Sequence, residues 1–288
     1  MGLLALDVLA FGVVMSADSQ PVELLEGENR VLTEEVPRTR NPILIHEGGG
    51  FRGLIGYVGT ECIGGTKTRD WLSGFGSSHA DQPLAAFAEA LAAALTKEWP
   101  RLGLSSVLEI FISGVENGDV RFWYVRNSLG LHDHDWTFKQ PSAGFRAVDD
   151  LDANYIARDL QPGQTKEQLL QTRMYSFRQG VLLPAASVFD AFGTMIGAIY
   201  AHGIDGFGPV ASLDDLAYFA RQRMEFLKRL YSADHGIYMN SPAPLGGAVH
   251  VLGVKVDGEI REYPKKRGQA KTLRSARSLA GRPASTGS

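Results

Sequence analysis

A single cysteine, Cys62, stands among 288 residues, so no internal disulfide can form and a cytoplasmic location is the default expectation. No basic residue precedes Arg30, and Asp7 interrupts the apolar stretch near the N-terminus; both argue against a secretory signal. Leu6 occupies the position where a myristoylation signal opened by Gly2 needs Ser or Thr. Nothing approaches the roughly 18 uninterrupted apolar residues of a membrane span, so a soluble chain with no membrane partner is expected. No repeat of roughly 20 to 50 residues is visible, which argues against a solenoid.

At the C-terminal end acidic residues are missing while basic ones cluster. Residues 265–288 carry Lys265, Lys266, Arg267, Lys271, Arg274, Arg277 and Arg282 and no Asp or Glu. Without these seven, 22 basic residues face 32 acidic ones, so an acidic body is hidden by the overall net charge of −3. The tail also has too few large apolar residues to offset its ordering entropy and reads as disordered. It divides the chain into a folded domain over 1–264 and a basic tail over 265–288 that could contact an acidic partner or nucleic acid.

What is present fits one α/β or α+β domain, since 44% hydrophobic content over this length can bury a large core. The stretches 3–9 and 13–15 read as two strands joined by a tight turn, and 19–41, with Pro21, Gly27 and Pro37, as a connection or weak edge strands. Ile43 to Ile45 and Leu54 to Val58 are short strands either side of Gly48-Gly49-Gly50. Pro83 starts a helix whose Leu84, Phe87, Leu91 and Leu95 recur at helical spacing until Pro100. Asn117-Gly118 predicts a type I′ hairpin, and Asp257-Gly258 predicts the same device near the end of the domain. Thr165 with Gln168 forms a capping box, an apolar helix runs over 188–202 up to Gly203, and Ser212 with Asp215 opens another. The order strands, helices, strands, helices, strands fits two antiparallel sheets packed face to face with helices outside.

Reactive groups are sparse. The stretch 59–66 nearly matches a phosphate-cradling loop, but Gly65 stands where its lysine must be, so a strand-to-helix turn is the better reading. His132-Asp133-His134-Asp135 offers half a zinc site, while the other histidines (His46, His79, His202, His235, His250) show no paired spacing; a solvated loop and no metal or cofactor are expected. There is no GxSxG; Ser77 and Ser78 precede His79 without the elbow pattern, and Cys62 reads as a buried thiol by default.

One distributed pattern remains. Gly12-Val13-Val14-Met15-Ser16-Ala17-Asp18-Ser19 resembles the GVVLAADS signature of proteasome-type subunits, and Ile55-Gly56-Tyr57-Val58-Gly59 is similar to their AGxxA/G turn. Phe111 to Gly114, Glu116-Asn117-Gly118 and Arg121 to Val125 resemble their central hairpin. Ile199 through Gly203, Asp205-Gly206, the Ser212 helix, and Gly246 to Val249 with Asp257-Gly258 follow their closing order. The likeness covers residues 2–130 and 185–263, leaving 131–183 as an insertion. It implies an α+β, four-layer αββα sandwich with a helical insertion.

The chemistry implied by that resemblance is an N-terminal threonine hydroxyl with its own α-amine as base, supported by an aspartate, a lysine and an oxyanion-binding N–H. Asp18 matches the aspartate and Gly56 the oxyanion glycine, but the threonine position falls on Gly2, which has no hydroxyl. The lysine position falls near Asn41-Pro42, with Arg40 close by, and Pro242-Ala243-Pro244-Leu245 replaces the polar residues expected before Gly246-Gly247. The expectation is a non-catalytic protein acting as a homo-oligomer or with related proteasome-like subunits, through the helix over 83–99 and the 131–183 segment. A peptidase or amidohydrolase using Ser16, Ser19 or Cys62, with the Gly2 amine as base, is the alternative. A nucleic-acid-binding role for the tail is another.

Overall fold

The computed structural model describes residues 3–19, 22–25, 28–31, 41–60, 62–99, 107–129, 140–180, 185–202, 210, 212–234, 247–264 and 271–272. Strands β1 (Leu3–Leu9) and β2 (Gly12–Asp18) form the expected opening hairpin and are buried along their whole length. The reason lies on both sides of them. Leu4, Leu6, Val8, Val13, Met15 and Ala17 face a second sheet, whereas Leu3, Ala5, Leu9 and Val14 face helices. With neither face wet, a strand needs no polar alternation and reads as an apolar run. Each fully buried Leu or Val here stabilises the fold by about 1.5–3 kcal/mol.

Among the described residues, the small β3 (Val22–Leu25) and β4 (Glu28–Val31) pair with each other alone. The second sheet contains β5 (Ile43–Glu47), β6 (Arg52–Gly59), β9 (Leu108–Glu116), β10 (Asp119–Leu129) and β11 (Gln140–Asp149), in the order β11-β10-β9-β6-β5. β7 (Cys62–Ile63) and β8 (Thr66–Lys67) form a short hairpin between β6 and the first helix, so the glycine-rich stretch is a turn rather than a phosphate cradle. Asn117 and Gly118 have φ of 53° and 79°, the paired positive angles of a type I′ turn.

Four helices complete the layers. α1 (Thr68–Ser78) and α2 (Leu84–Glu98) cover the second sheet, where Leu84, Phe87, Leu91 and Leu95 meet Leu44, Ile55, Ile110 and Ile112. Pro83 precedes the first helical residue, and its carbonyl accepts the Phe87 N–H. The chain is thus an αββα sandwich: helices, sheet, sheet, helices. Residues 131–183 contain more than helix. β11 ends in a π-helical turn (Asp150–Ile156), followed by α3 (Ala157–Asp159), α4 (Lys166–Thr172) and β12 (Tyr175–Gly180), so the segment gives each sheet an edge strand around its helical part. The capping box at Thr165 and Gln168 forms as expected.

α5 (Ala185–His202) and α6 (Leu213–Asp234) cover the first sheet, which is completed by β13 (Val249–Lys255), β14 (Ile260–Glu262) and β15 (Lys271–Thr272) in the order β12-β1-β2-β13-β14-β15. The turn between β13 and β14 corrects one expectation. Only Gly258 has positive φ (82°), and Lys255 N donates to Glu259 O, a three-residue loop closed by a glycine bulge rather than a second type I′ turn. Of the tail expected to be disordered over 265–288, Lys271–Thr272 pairs with Arg261 and Glu262 through backbone, and the remaining residues lie outside the described ones.

Asp7, the residue that breaks the apolar run of β1, faces the helices. Arg223 of α6 donates from Nη1 to Oδ1 at 3.0 Å and from Nη2 to Oδ2 at 2.7 Å, and Ser176 Oγ donates to Oδ1 at 2.6 Å. Both charged residues are essentially inaccessible, at 1% and 0% exposure. A bidentate pair of this kind fixes α6 on the sheet with one geometry.

Candidate active site

The end of β2 is where the retained residues gather. Asp18 is buried and its Oδ1 accepts the Leu3 N–H at 2.6 Å, so the carboxylate holds the start of the first strand. Ser19 follows: its N–H donates to Ala248 O at 3.0 Å, and its Oγ accepts the Ala248 N–H at 2.9 Å. That exchange extends the ladder between β2 and β13, in which Val249 faces Asp18 and His250 faces Ala17. Gly2 lies outside the described residues, as do Arg40 and the 242–245 segment.

A cation does arrive where the lysine position falls, from another element. Arg69, in the first turn of α1, donates from Nη1 to the carbonyls of Asn41 and Ile43, the second at 3.3 Å. Asn41 Oδ1 in turn accepts the Ile43 N–H at 2.9 Å, which shapes the entry into β5. Gly56 sits in the middle of β6, opposite Ile43 on one side and Phe111 on the other. A Cβ there would come within 2.5 Å of Met15 Sδ and 2.7 Å of Leu4 Cδ1, so an alanine would have to push the Met15 and Leu4 side chains aside where the two sheets approach.

His250 is the notable residue that spacing did not single out. Strand β13 reads Val-His-Val-Leu-Gly-Val, and a lone polar residue in such a strand was the signal available. Burial lowers its pKa below the ordinary histidine value; Glu262 opposes that shift, while Arg221 and Arg69 add to it, so the ring is neutral at pH 7. Its Nε2 is buried with no hydrogen-bond partner. Beside it opens a cleft of about 340 Å³ lined by Ala248, His250, Glu262, Arg221, Lys228 and Tyr263. Arg221 is already committed, donating to Val249 O at 2.8 Å and to Tyr263 O, and Lys228 Nζ donates to Gly247 O at 2.5 Å.

The other candidates scatter. Ser16 is fully buried on the helix-facing side of β2, and its Oγ lacks a partner. Cys62 is exposed in β7, not buried as its type suggested, because the short hairpin projects beside α1. Ser77 and Ser78 donate back to Ser73 and Gly74 carbonyls of their own helix, and His79 stacks on Phe75. His46 is enclosed by Phe51 and Phe87, and burial lowers its pKa to about 4. The 132–135 cluster lies outside the described residues, among which no group of three or more His, Cys, Asp or Glu could hold a metal.

Neither a protein-family model nor a curated protein sequence matches the chain. Among solved structures it is similar to the Gly-1 mutant of Anbu from Hyphomicrobium sp. strain MC1, over 96% of this chain and 88% of that one, with 10% sequence identity and a TM-score of 0.48.

Proposed function

We propose that this chain, a sandwich of two antiparallel sheets between helices with glycine at residue 2, is a divergent N-terminal-nucleophile-hydrolase-like protein, an amide-bond hydrolase whose nucleophile comes from elsewhere. Asp18 carries the reading. Burying a carboxylate costs several kcal/mol, and this one is kept at the sheet end against the first strand, where it contributes nothing to apolar packing. Arg69 brings positive charge to the Asn41 and Ile43 carbonyls, and the neutral His250 lies two residues beyond the Ala248 amide that holds Ser19. These groups supply an anion, a cation, a base and a hydroxyl at one end of the sandwich. Fluorogenic peptides and simple amides should be turned over by the full chain, and Asp18→Asn should lower kcat/KM by about 100-fold or more. Absence of turnover across a broad panel would overturn the reading.

A non-catalytic assembly role is favoured by a different observation. Met195 on α5 and Phe226 on α6 are 40% and 45% exposed, and the Phe192 and Phe226 rings lie 5.5 Å apart on the outer helical layer. Adjacent exposed apolar side chains are the signature of a contact surface. The outward residues of α2, the helix first expected to make that contact, are Ala86, Glu89, Ala93 and Lys97, which suit solvent better. Light scattering giving a mass well above the 31.3 kDa of one chain, reduced by Phe226→Glu, would support assembly; a monomer at micromolar concentration would oppose it.

A further inference from the structure

The cleft beside β13 is walled by α6, and that helix supplies its charged groups. On β13, Leu252 and Val254 face the second sheet and His250 falls in their row, as do Ser19 beyond Ala17 on β2 and Glu262 opposite Leu252 on β14. Val249 and Val251 take the other face, under α6, and line the cleft with Arg221, Glu225 and Lys228, which recur along one side of that helix. The backbone explains where the two cations go. Ser19 and Ala248 bond across the β2–β13 ladder, so the Val249 carbonyl turns the other way, toward β14. Among the described residues, the bond from Tyr263 N to Val251 O is the last between β13 and the chain leaving β14. Beyond it α6 stands in for a strand: Arg221 Nη1 donates to Val249 O at 2.8 Å and Nη2 to Tyr263 O, and Lys228 Nζ donates to Gly247 O at 2.5 Å.

Those bonds satisfy carbonyls but leave charge over. Arg221 is 7% exposed, yet no ion pair among the described residues includes it, whereas Arg223, two positions along the same helix and just as buried, meets both oxygens of Asp7. Burial holds the Arg221 pKa below the ordinary arginine value, and Glu225 and Glu262 oppose that shift only from a distance. A guanidinium also carries more N–H donors than two carbonyls occupy. Glu225 in turn has an oxygen 3.7 Å from Lys228 Nζ, too far for a hydrogen bond. We infer that this cleft binds a free α-amino acid with an apolar side chain, its carboxylate on Arg221 and Lys228, its ammonium on Glu225, and its side chain against Val249, Val251 and Pro264. Inorganic phosphate would meet Glu225 as a like charge, and a plain amine would meet two cations; a zwitterion complements both signs. The volume of about 340 Å³ suits one amino acid rather than a long peptide. The site goes beyond the hydrolase reading, because it needs no nucleophile and stands whether or not the chain cleaves amides.

The test is isothermal titration calorimetry of the full chain with leucine, leucinamide, N-acetylleucine and inorganic phosphate. Leucine should bind saturably, one molecule per chain, with leucinamide and N-acetylleucine each weaker by about 10-fold or more and phosphate giving no binding heat. Arg221→Lys keeps the charge but loses the planar fork, and should weaken leucine by about 10-fold. Because Arg221 also holds two backbone carbonyls, that variant could fail to fold; Lys228→Gln and Glu225→Gln, at partly exposed positions, carry the test independently. Lys228→Gln should weaken leucine and N-acetylleucine alike. Glu225→Gln should weaken leucine while leaving N-acetylleucine unchanged, a split that a purely structural role would not produce. No binding of leucine, methionine or phenylalanine overturns the assignment. So does N-acetylleucine binding as tightly as leucine, or a leucine affinity that neither Lys228→Gln nor Glu225→Gln alters.

Discussion

The middle and the open end of the first sheet bury the same kinds of residue and treat them in opposite ways. In the middle, Asp7 meets two guanidinium nitrogens of Arg223 and the Ser176 hydroxyl. At the end, His250 keeps a buried nitrogen without a partner beside a cleft. Buried polar atoms are almost always satisfied because leaving one unpaired costs about 1–3 kcal/mol. Where the chain pairs such groups it is specifying how α6 sits on the sheet.

That contrast can be broken at several points. The largest effect belongs to the closed network: Arg223→Met should destabilise by about 3–5 kcal/mol in chemical denaturation, because Asp7 would be left charged and buried. Pairing it with Asp7→Leu should recover most of that loss. Gly56→Ala comes next, at about 1–3 kcal/mol, since the added methyl meets Met15 and Leu4 across the sheets. A third effect is pH dependence at His46. Its folded pKa of about 4 lies below the unfolded value of 6.5, so the unfolded chain binds the extra proton first. Stability is therefore full above pH 6.5 and is lost as pH falls toward 4, and His46→Phe should flatten that slope in thermal melts at a series of pH values. The smallest effect is expected at the open end: His250→Gln should change stability by less than about 0.5 kcal/mol. A large loss there would make His250 a structural residue and erase the contrast.

Much of the fold was legible because local chemistry and tertiary structure agree. Asn117-Gly118 tolerates two positive φ angles at little cost, and Thr165 with Gln168 satisfies two helix N–H groups reciprocally. Asp257-Gly258 misled because the dipeptide serves more than one turn; loop length, settled by pairing, selected the bulge. The segment 131–183 was read mainly as helix, and its two edge strands were missed. β12 owes its place to pairing with β1, about 170 positions earlier in the chain, a relation no local pattern carries. Of the candidate site, Asp18 and Gly56 stood out by resemblance. Arg69 and His250 did not, since each acquires its surroundings from strands and helices distant in sequence.

By itself the sequence determined which stretches are apolar on both faces, where turns and caps must fall, and that residue 2 has no hydroxyl to offer. Those properties depend on a residue and its near neighbours. Only the tertiary structure decided that Asp7 is neutralised by Arg223, that Arg69 reaches the Asn41 carbonyl, and that Ser19, His250 and Glu262 share one sheet face. The reason is register: a shift of one residue between β2 and β13 would send His250 to the other face, and only long-range packing of the sandwich holds that register in place.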